Sequence, residues 1–385
     1  MPRVYLDHAS AWPLRPEAAT AYRDAAAVAW ADASRGYGEA RAARDLLDRA
    51  TETATDTLGA ADGVVWTSSG TEAIHLAVLG SARAAHRRGD DRRHLVTSAV
   101  EHSSVLRACE RLRDEHGFDL TVVGASASGE VDADALVGTL RPDTLAVHLQ
   151  HANHEVGAIQ PTHEVAMACR DRGVLLHVDA CQTVGQLGLT LEQVGADLLS
   201  ASAVKFGGPS GVGLLAVGER GRVGALLEGD DRQRHRRSGL EPVPAIAGAA
   251  VALAVATANL DAERSHRELL RRRLRQLLPQ RVPDLQVHGP LADAHPGIVA
   301  VSALYVEGEA LVTELDAAGF AVHSGSSCAT TSGEPSHVLV AMDALTHGHV
   351  RVSVGPSNSE DDILAFVDAF AATVTRLRQT AGVGR

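Results

Sequence analysis

Of the 36 basic residues other than histidine, one is a lysine, Lys205, and every other one is an arginine. Either type can serve as a surface charge. A guanidinium, however, stays protonated and is a poor nucleophile, so an amine that must condense with a carbonyl has to be lysine. A coding bias that also enriches Ala and Gly would leave the same count by chance, and the neighbours decide between the two. Lys205 follows the run LLSASAV (198–204) and precedes FGGPSGVG (206–213). It therefore sits at a strand end, beside a glycine-rich turn that lets another group come close.

Two further groups complete a constellation. Asp179 ends the apolar run Leu175-Leu176-His177-Val178, at the carboxyl edge where open α/β sheets take their ligands. A carboxylate there needs a partner. A protonated pyridine nitrogen is one such partner, and a helix-capping role is the other reading. Ser68-Ser69-Gly70-Thr71-Glu72 joins a β-run to a helix beginning with Thr71 at or near its N-cap. Free N–H groups and the helix dipole suit a phosphate at that point, although a plain cap would look the same. Amine, carboxylate and anion cradle on neighbouring strand ends together describe a pocket for pyridoxal 5'-phosphate (PLP).

Three more residues could act on a substrate. His102, in VEHSS (100–104), ends a strand and could stack on a ring and shuttle protons; with 19 histidines in the chain it could equally be incidental. Cys328 lies in HSGSSCATTSGEP (323–335), whose small polar flanks suggest an exposed loop and a reactive thiol. Cys109, Cys169 and Cys181 fall within helix or strand patterns and are expected to be packed. Arg351 interrupts the apolar run HVRVS (349–353). It could hold an amino-acid carboxylate bidentately or serve in a structural ion pair.

The elements that must position these residues are strands alternating with helices. Strand runs are read at 64–69, 94–100, 120–125, 145–150, 174–180, 198–204 and 213–218, with helical patterns such as 71–88 and 161–173 between them. That order predicts an α/β fold with a mostly parallel sheet covered by helices. Near residue 250 the pattern changes. A long helix over roughly 246–279 with a break leads to strands near 297–305, 320–325 and 349–355 and a helix over 359–379, a smaller α+β unit. The expected division is a large domain at 14–250 and a small one made of 1–13 and 251–385.

The 385 residues carry a net charge of -12, with 45% apolar and 22% charged side chains. This argues against broad binding to nucleic acid or an anionic membrane; the basic cluster Arg232 to Arg237 reads as a solvated loop or a contact for an acidic partner. No apolar run is long enough to cross a bilayer and the N-terminal stretch MPRVYLDHAS has no signal-peptide character. The four cysteines lack CxxC spacing, which fits free thiols in the cytoplasm.

These segments resemble the cysteine desulfurases, a group of class V aminotransferases with the PLP fold type I. The likeness runs nearly end to end, through YLDHAS (5–10), WTSSGTEA (66–73), VEHSSVL (100–106), HANHEVGAIQ (151–160), HVDACQTVGQ (177–186), RSG (237–239), YVEGEAL (305–311), HSGSSCATTSGEPSHVL (323–339) and VRVSVG (350–355). The resemblance implies that Gly70, Thr71 and Ser202 hold the phosphate, His102 stacks on the ring, Asp179 binds its nitrogen, and Gln182 its hydroxyl. It implies that Lys205 carries the cofactor, Arg351 binds the substrate carboxylate, and Cys328, in an extended loop, carries sulfur as a persulfide. His154 takes the cofactor-contacting place of a family asparagine, Val204 that of a phosphate-binding histidine, and Leu240 that of a threonine reaching the partner subunit. Gly229-Asp230-Asp231 replaces a glycine run.

The implied reaction converts L-cysteine to L-alanine in a homodimer and delivers sulfur to an acceptor protein. Selenocysteine lyase or C–S β-lyase activity is a second reading, and a weakly active scaffold in a sulfur-transfer complex a third. No metal is called for.

Overall fold

The computed structural model describes residues 3–324 and 335–382, so Cys328 lies outside the described residues. Its strands are β1 (Val4–Tyr5), β2 (Val64–Thr67), β3 (His94–Ser98), β4 (Asp119–Val123), β5 (Thr144–Gln150), β6 (Leu175–Asp179), β7 (Leu198–Ser202), β8 (Gly213–Val217), β9 (Leu285–His288), β10 (Ile298–Ala303), β11 (Phe320–Ala321) and β12 (His349–Ser353).

Seven of them form one sheet in the order β2-β8-β7-β6-β5-β3-β4. All run parallel except β8, which is antiparallel to both β2 and β7. Strands β2, β3, β5, β7 and β8 are buried at every position. Such unbroken burial requires helices on both faces, which is why these runs are apolar throughout and do not alternate. The expected α/β fold with a mostly parallel sheet is the observed one. Each of the seven strand runs read from sequence is present; six end one or two residues early, and β5 keeps its expected end and starts one residue earlier.

A second core gathers Leu6, the helices Leu260–Arg281 and Glu360–Thr380, and the antiparallel sheet β12-β10-β9. Phe320, Phe366 and Phe370 meet there ring to ring. Burying each such ring stabilises the fold by about 2 kcal/mol. A capping box at Ser359 and Asp362 starts the last helix where its sequence predicts.

Some elements differ from expectation. The long broken helix is two, Val243–Ala258 and Leu260–Arg281, bent by 72° at Asn259. The first is apolar and largely buried; the second buries Arg267 and Arg271 among its leucines and exposes Arg264, Arg272 and Arg281. Among the described residues of the 320–325 run, which end at Ser324, Phe320–Ala321 is strand, paired with β1. Helices Pro16–Val28 and Gly38–Leu58 and strand β9 went unread in the sequence. No single helix among the described residues is long and apolar enough to cross a membrane.

Candidate active site

The carboxyl edge of the main sheet opens into a cavity of about 350 Å³ lined by Gly70, Thr71, His102, His154, Asp179, Gln182, Ser202, Lys205 and Arg351. Every described residue given a catalytic, cofactor-binding or substrate-binding role from sequence lines this one space. Cys328 is the exception, lying outside the described residues.

Lys205 closes a short 3₁₀ turn, Ala203–Lys205, that follows β7 directly. Its Nζ donates to the carbonyl oxygens of Ala9 (2.6 Å) and Ser10 (2.7 Å). Burial, reinforced by the Arg351 guanidinium, pushes the amine down to about 8. An amine so perturbed has a substantial neutral fraction near neutral pH, the form that attacks a carbonyl.

Asp179 is the last residue of β6. Its Oδ1 accepts from the Cys181 N–H (3.0 Å) and the Ser200 hydroxyl (3.3 Å), leaving Oδ2 for a further donor. The local turn that the capping alternative foresaw is therefore present, and the carboxylate still faces the cavity.

The helix starts near Thr71, as expected: Ser69 is the N-cap of helix Gly70–Arg87, its hydroxyl accepting from Glu72 N–H. The Gly70 and Thr71 N–H groups belong to the first turn, which has no intrahelical acceptors. A Cβ on Gly70 would lie 2.7 Å from Cys181 Sγ and 2.9 Å from Ser202 Cβ. Only glycine lets the helix start approach β7 this closely.

His102 caps helix Ser103–His116, and its Nδ1 accepts the Ser104 N–H at 3.1 Å. A ring nitrogen that accepts is unprotonated, so the neutral ring carries its proton on Nε2. Burial holds the residue in that neutral form. The His154 ring lies 5.2 Å from the His102 ring, edge to face. Both His154 nitrogens are buried without a hydrogen bond, Glu155 Oε1 standing 3.6 Å from Nε2, and so is Gln182 Oε1, whose amide Nε2 donates to Ala9 O at 2.8 Å. Orphaned polar atoms around one cavity are what a bound polar group would satisfy.

Arg351 satisfies the second of its two sequence readings within the chain. It pairs with Asp7 and Ser10 Oγ, both at 2.8 Å, and donates to His154 O at 3.0 Å. Its Nε is buried and unpartnered beside the cavity. Asp7, Ala9 and Ser10 were not singled out. Asp7 in YLDHAS follows the short strand β1 and the buried Leu6, and a carboxylate beside so apolar a stretch could have flagged it.

Cys109 and Cys169 are buried as expected, and burial pushes both thiols up, Cys169 to about 12. Cys181 corrects the expectation: it stands in a turn after β6, in the cavity wall. Burial and Asp179 hold its thiol protonated. Val204 lines the cavity without offering a polar side chain, and Leu240 is exposed. The basic cluster is matched internally: Arg232 pairs with Asp32 and Asp230, Arg234 and Arg236 with Asp62, and Arg237 with Glu72.

Residues 4–366 match the family model of aminotransferase class-V. A cysteine desulfurase IscS from Dictyoglomus turgidum is 34% identical over 379 residues, 97% of this chain and 95% of that protein. Among solved structures, a NifS-like protein superposes with a TM-score of 0.89 at 27% identity, over 97% of this chain and all of the other. The structure of SspA in complex with cysteine gives 0.78 at 25% identity, over 92% of this chain and 100% of that one. The chain belongs to the class-V aminotransferase family, and within that family its relatives are the cysteine desulfurases.

Proposed function

We propose that the protein converts L-cysteine to L-alanine and leaves the sulfur on the thiol of Cys328 for an acceptor protein. One observation carries the reading: the chain's single lysine, with its amine brought down to about 8, shares a cavity with Asp179 and a helix start that only Gly70 permits.

The residues fit pyridoxal phosphate. Gly70, Thr71 and Ser202 would hold the phosphate, Asp179 the ring nitrogen, Gln182 and His154 the ring oxygen, and Lys205 the aldehyde carbon. PLP supplies an aldehyde for the substrate amine and a protonated ring that draws electrons from Cα.

This chain's groups do the rest. Lys205 Nζ, tethered by two carbonyls, takes the proton from Cα once its amine is free. Arg351 holds the substrate carboxylate, with Asp7 fixing the guanidinium from behind. The Cys328 thiolate attacks the substrate sulfur: an S–S bond forms, the Cβ–S bond breaks, and the electron pair ends as a C–H bond of alanine. His102, with its proton on Nε2, exchanges protons with the substrate thiol. Cys328 thus ends as a persulfide, and no external oxidant is needed. In the same reading residues 14–250 carry the cofactor, 1–13 and 251–385 form the smaller domain, and two copies pair as a cytoplasmic homodimer.

The test is a visible spectrum of the PLP-loaded protein before and after L-cysteine, coupled to an alanine assay. A spectral change with alanine release in the wild type, and the spectral change without catalytic release in Cys328→Ala, is the expected result. Pyruvate in place of alanine would make the protein a β-lyase, and no uptake of PLP would leave only a scaffold role.

A further inference from the structure

We propose that Ser200, His177 and His148 form a one-directional hydrogen-bond chain that holds Asp179 as a carboxylate toward the cofactor ring, which makes these three buried residues positioning residues for the reaction. The proposal rests on the assignment of Asp179 to the ring nitrogen.

The chain crosses three neighbouring strands of the main sheet. His148 on β5 is registered with His177 on β6, and Asp179 on β6 with Ser200 on β7. Alternation along each strand therefore brings all four side chains to one face. His148 Nδ1 lies 3.3 Å from His177 Nδ1, His177 Nε2 lies 3.1 Å from Ser200 Oγ, and Ser200 Oγ lies 3.3 Å from Asp179 Oδ1. His148, His177 and Ser200 are fully buried in strands that are otherwise apolar at these depths. Polar groups in such a place are retained where their hydrogen bonds serve a purpose.

The direction follows from donor and acceptor capacity. Two neutral imidazoles facing each other through Nδ1 share one proton. If it belongs to His148, then His177 carries its own proton on Nε2 and donates to Ser200, whose hydroxyl donates to Asp179. Every donor is then satisfied, and His148 Nε2 is left as an acceptor only. The reverse arrangement turns Ser200 away from Asp179 and leaves His148 Nε2–H as a buried donor without an acceptor, since that atom has no partner. Burial keeps both rings neutral, His148 being pushed down to about 3. The chain thus contributes aligned dipoles and no charge. Donors directed at Oδ1 stabilise the carboxylate, so a proton shared between Asp179 and the ring nitrogen stays on the nitrogen, the form in which the ring withdraws electrons.

The experiment loads the full-length protein with PLP ¹⁵N-labelled in its ring and records the pyridine ¹⁵N resonance, with the melting temperature of each variant alongside. Ser200→Ala and His177→Leu are expected to move the resonance toward the unprotonated position and to lower kcat roughly tenfold with KM for L-cysteine nearly unchanged. His148→Asn, whose amide reproduces the Nδ1 donor, is expected to keep the wild-type resonance. An unmoved resonance in folded, loaded Ser200→Ala overturns the proposal even if the melting temperature falls, since that pattern marks a structural role alone. Failure of the wild type to take up PLP would overturn the cofactor assignment and this proposal with it, and that control separates the two failures.

Discussion

The amine of Lys205 lies 2.6 Å from the carbonyl oxygen of Ala9, a residue 196 positions earlier in the chain. The N-terminal segment thereby reaches across to the strand end that carries the lysine, and the Ser10 carbonyl and the Trp12 N–H to Val204 O bond reinforce the crossing. Chemistry at Lys205 is therefore tied to residues 7–12 as closely as to its own loop.

That tether and the surrounding burial have a stability consequence. The amine is brought from 10.5 down to about 8 in the fold. Between those values the unfolded chain keeps a proton the folded one releases, so stability rises with pH across that window; below pH 8 the fold carries a buried charge. Lys205→Met is expected to stabilise the PLP-free protein at pH 7 by about 1–2 kcal/mol, with the gain vanishing near pH 10.5. Urea midpoints at the two pH values check it.

Gly70→Ala places a methyl group 2.7 Å from Cys181 Sγ and 2.9 Å from Ser202 Cβ. The helix start must retreat from β7, and the phosphate loses its N–H donors. PLP affinity is expected to fall by about tenfold or more, measured by fluorescence titration. Adding Cys181→Ala, which removes one of the two clashes, is expected to restore part of it.

Legibility in the sequence tracked how local each cause was. Lys205 stood out because no other residue type can do its chemistry, and the seven sheet strands stood out because continuous apolar runs between helical patterns have few other folds. Helices Pro16–Val28 and Gly38–Leu58 were missed because alanines supply most of their buried contacts and give a faint periodicity. The helix start near Thr71 was legible, its cap being Ser69, whose hydroxyl, two residues before Thr71, reaches the Glu72 N–H. The pairing of Arg351 with Asp7 spans 344 positions and has no local trace. Cys181 looked like part of a strand because the turn that carries it into the cavity wall depends on Asp179 Oδ1 accepting its N–H.

Glu101 is fully buried next to His102; its Oε1 accepts from Ser98 Oγ and Gln150 N–H, and its Oε2 has no partner. Burial pushes this carboxyl up from 4.5 to about 8. The folded protein holds the proton that the unfolded chain loses, so this contribution is complete below pH 4.5 and is lost as pH rises through about 8. Glu101→Gln keeps the acceptor at Oε1 and removes the titration. The variant is expected to lose about 1–3 kcal/mol less stability than the wild type between pH 5.5 and 8.5 by denaturant melts.

Arg351 and Asp7 form a buried ion pair. Arg351→Leu leaves the Asp7 carboxylate unpaired and is expected to destabilise the protein by about 3 kcal/mol. Arg351→Lys keeps the charge without the planar fork. Its expected signature is a KM for L-cysteine raised about tenfold with a smaller change in stability, read from steady-state kinetics beside a thermal melt.

Sulfur transfer itself is followed most directly with ³⁵S-labelled L-cysteine, PLP-loaded protein and no reductant, quantifying alanine and locating the label by peptide mapping. The wild type is expected to release alanine in step with label on the peptide containing Cys328, and Lys205→Ala and Cys328→Ala to give neither. Alanine release with label elsewhere, or undiminished release by Lys205→Ala, would contradict the account.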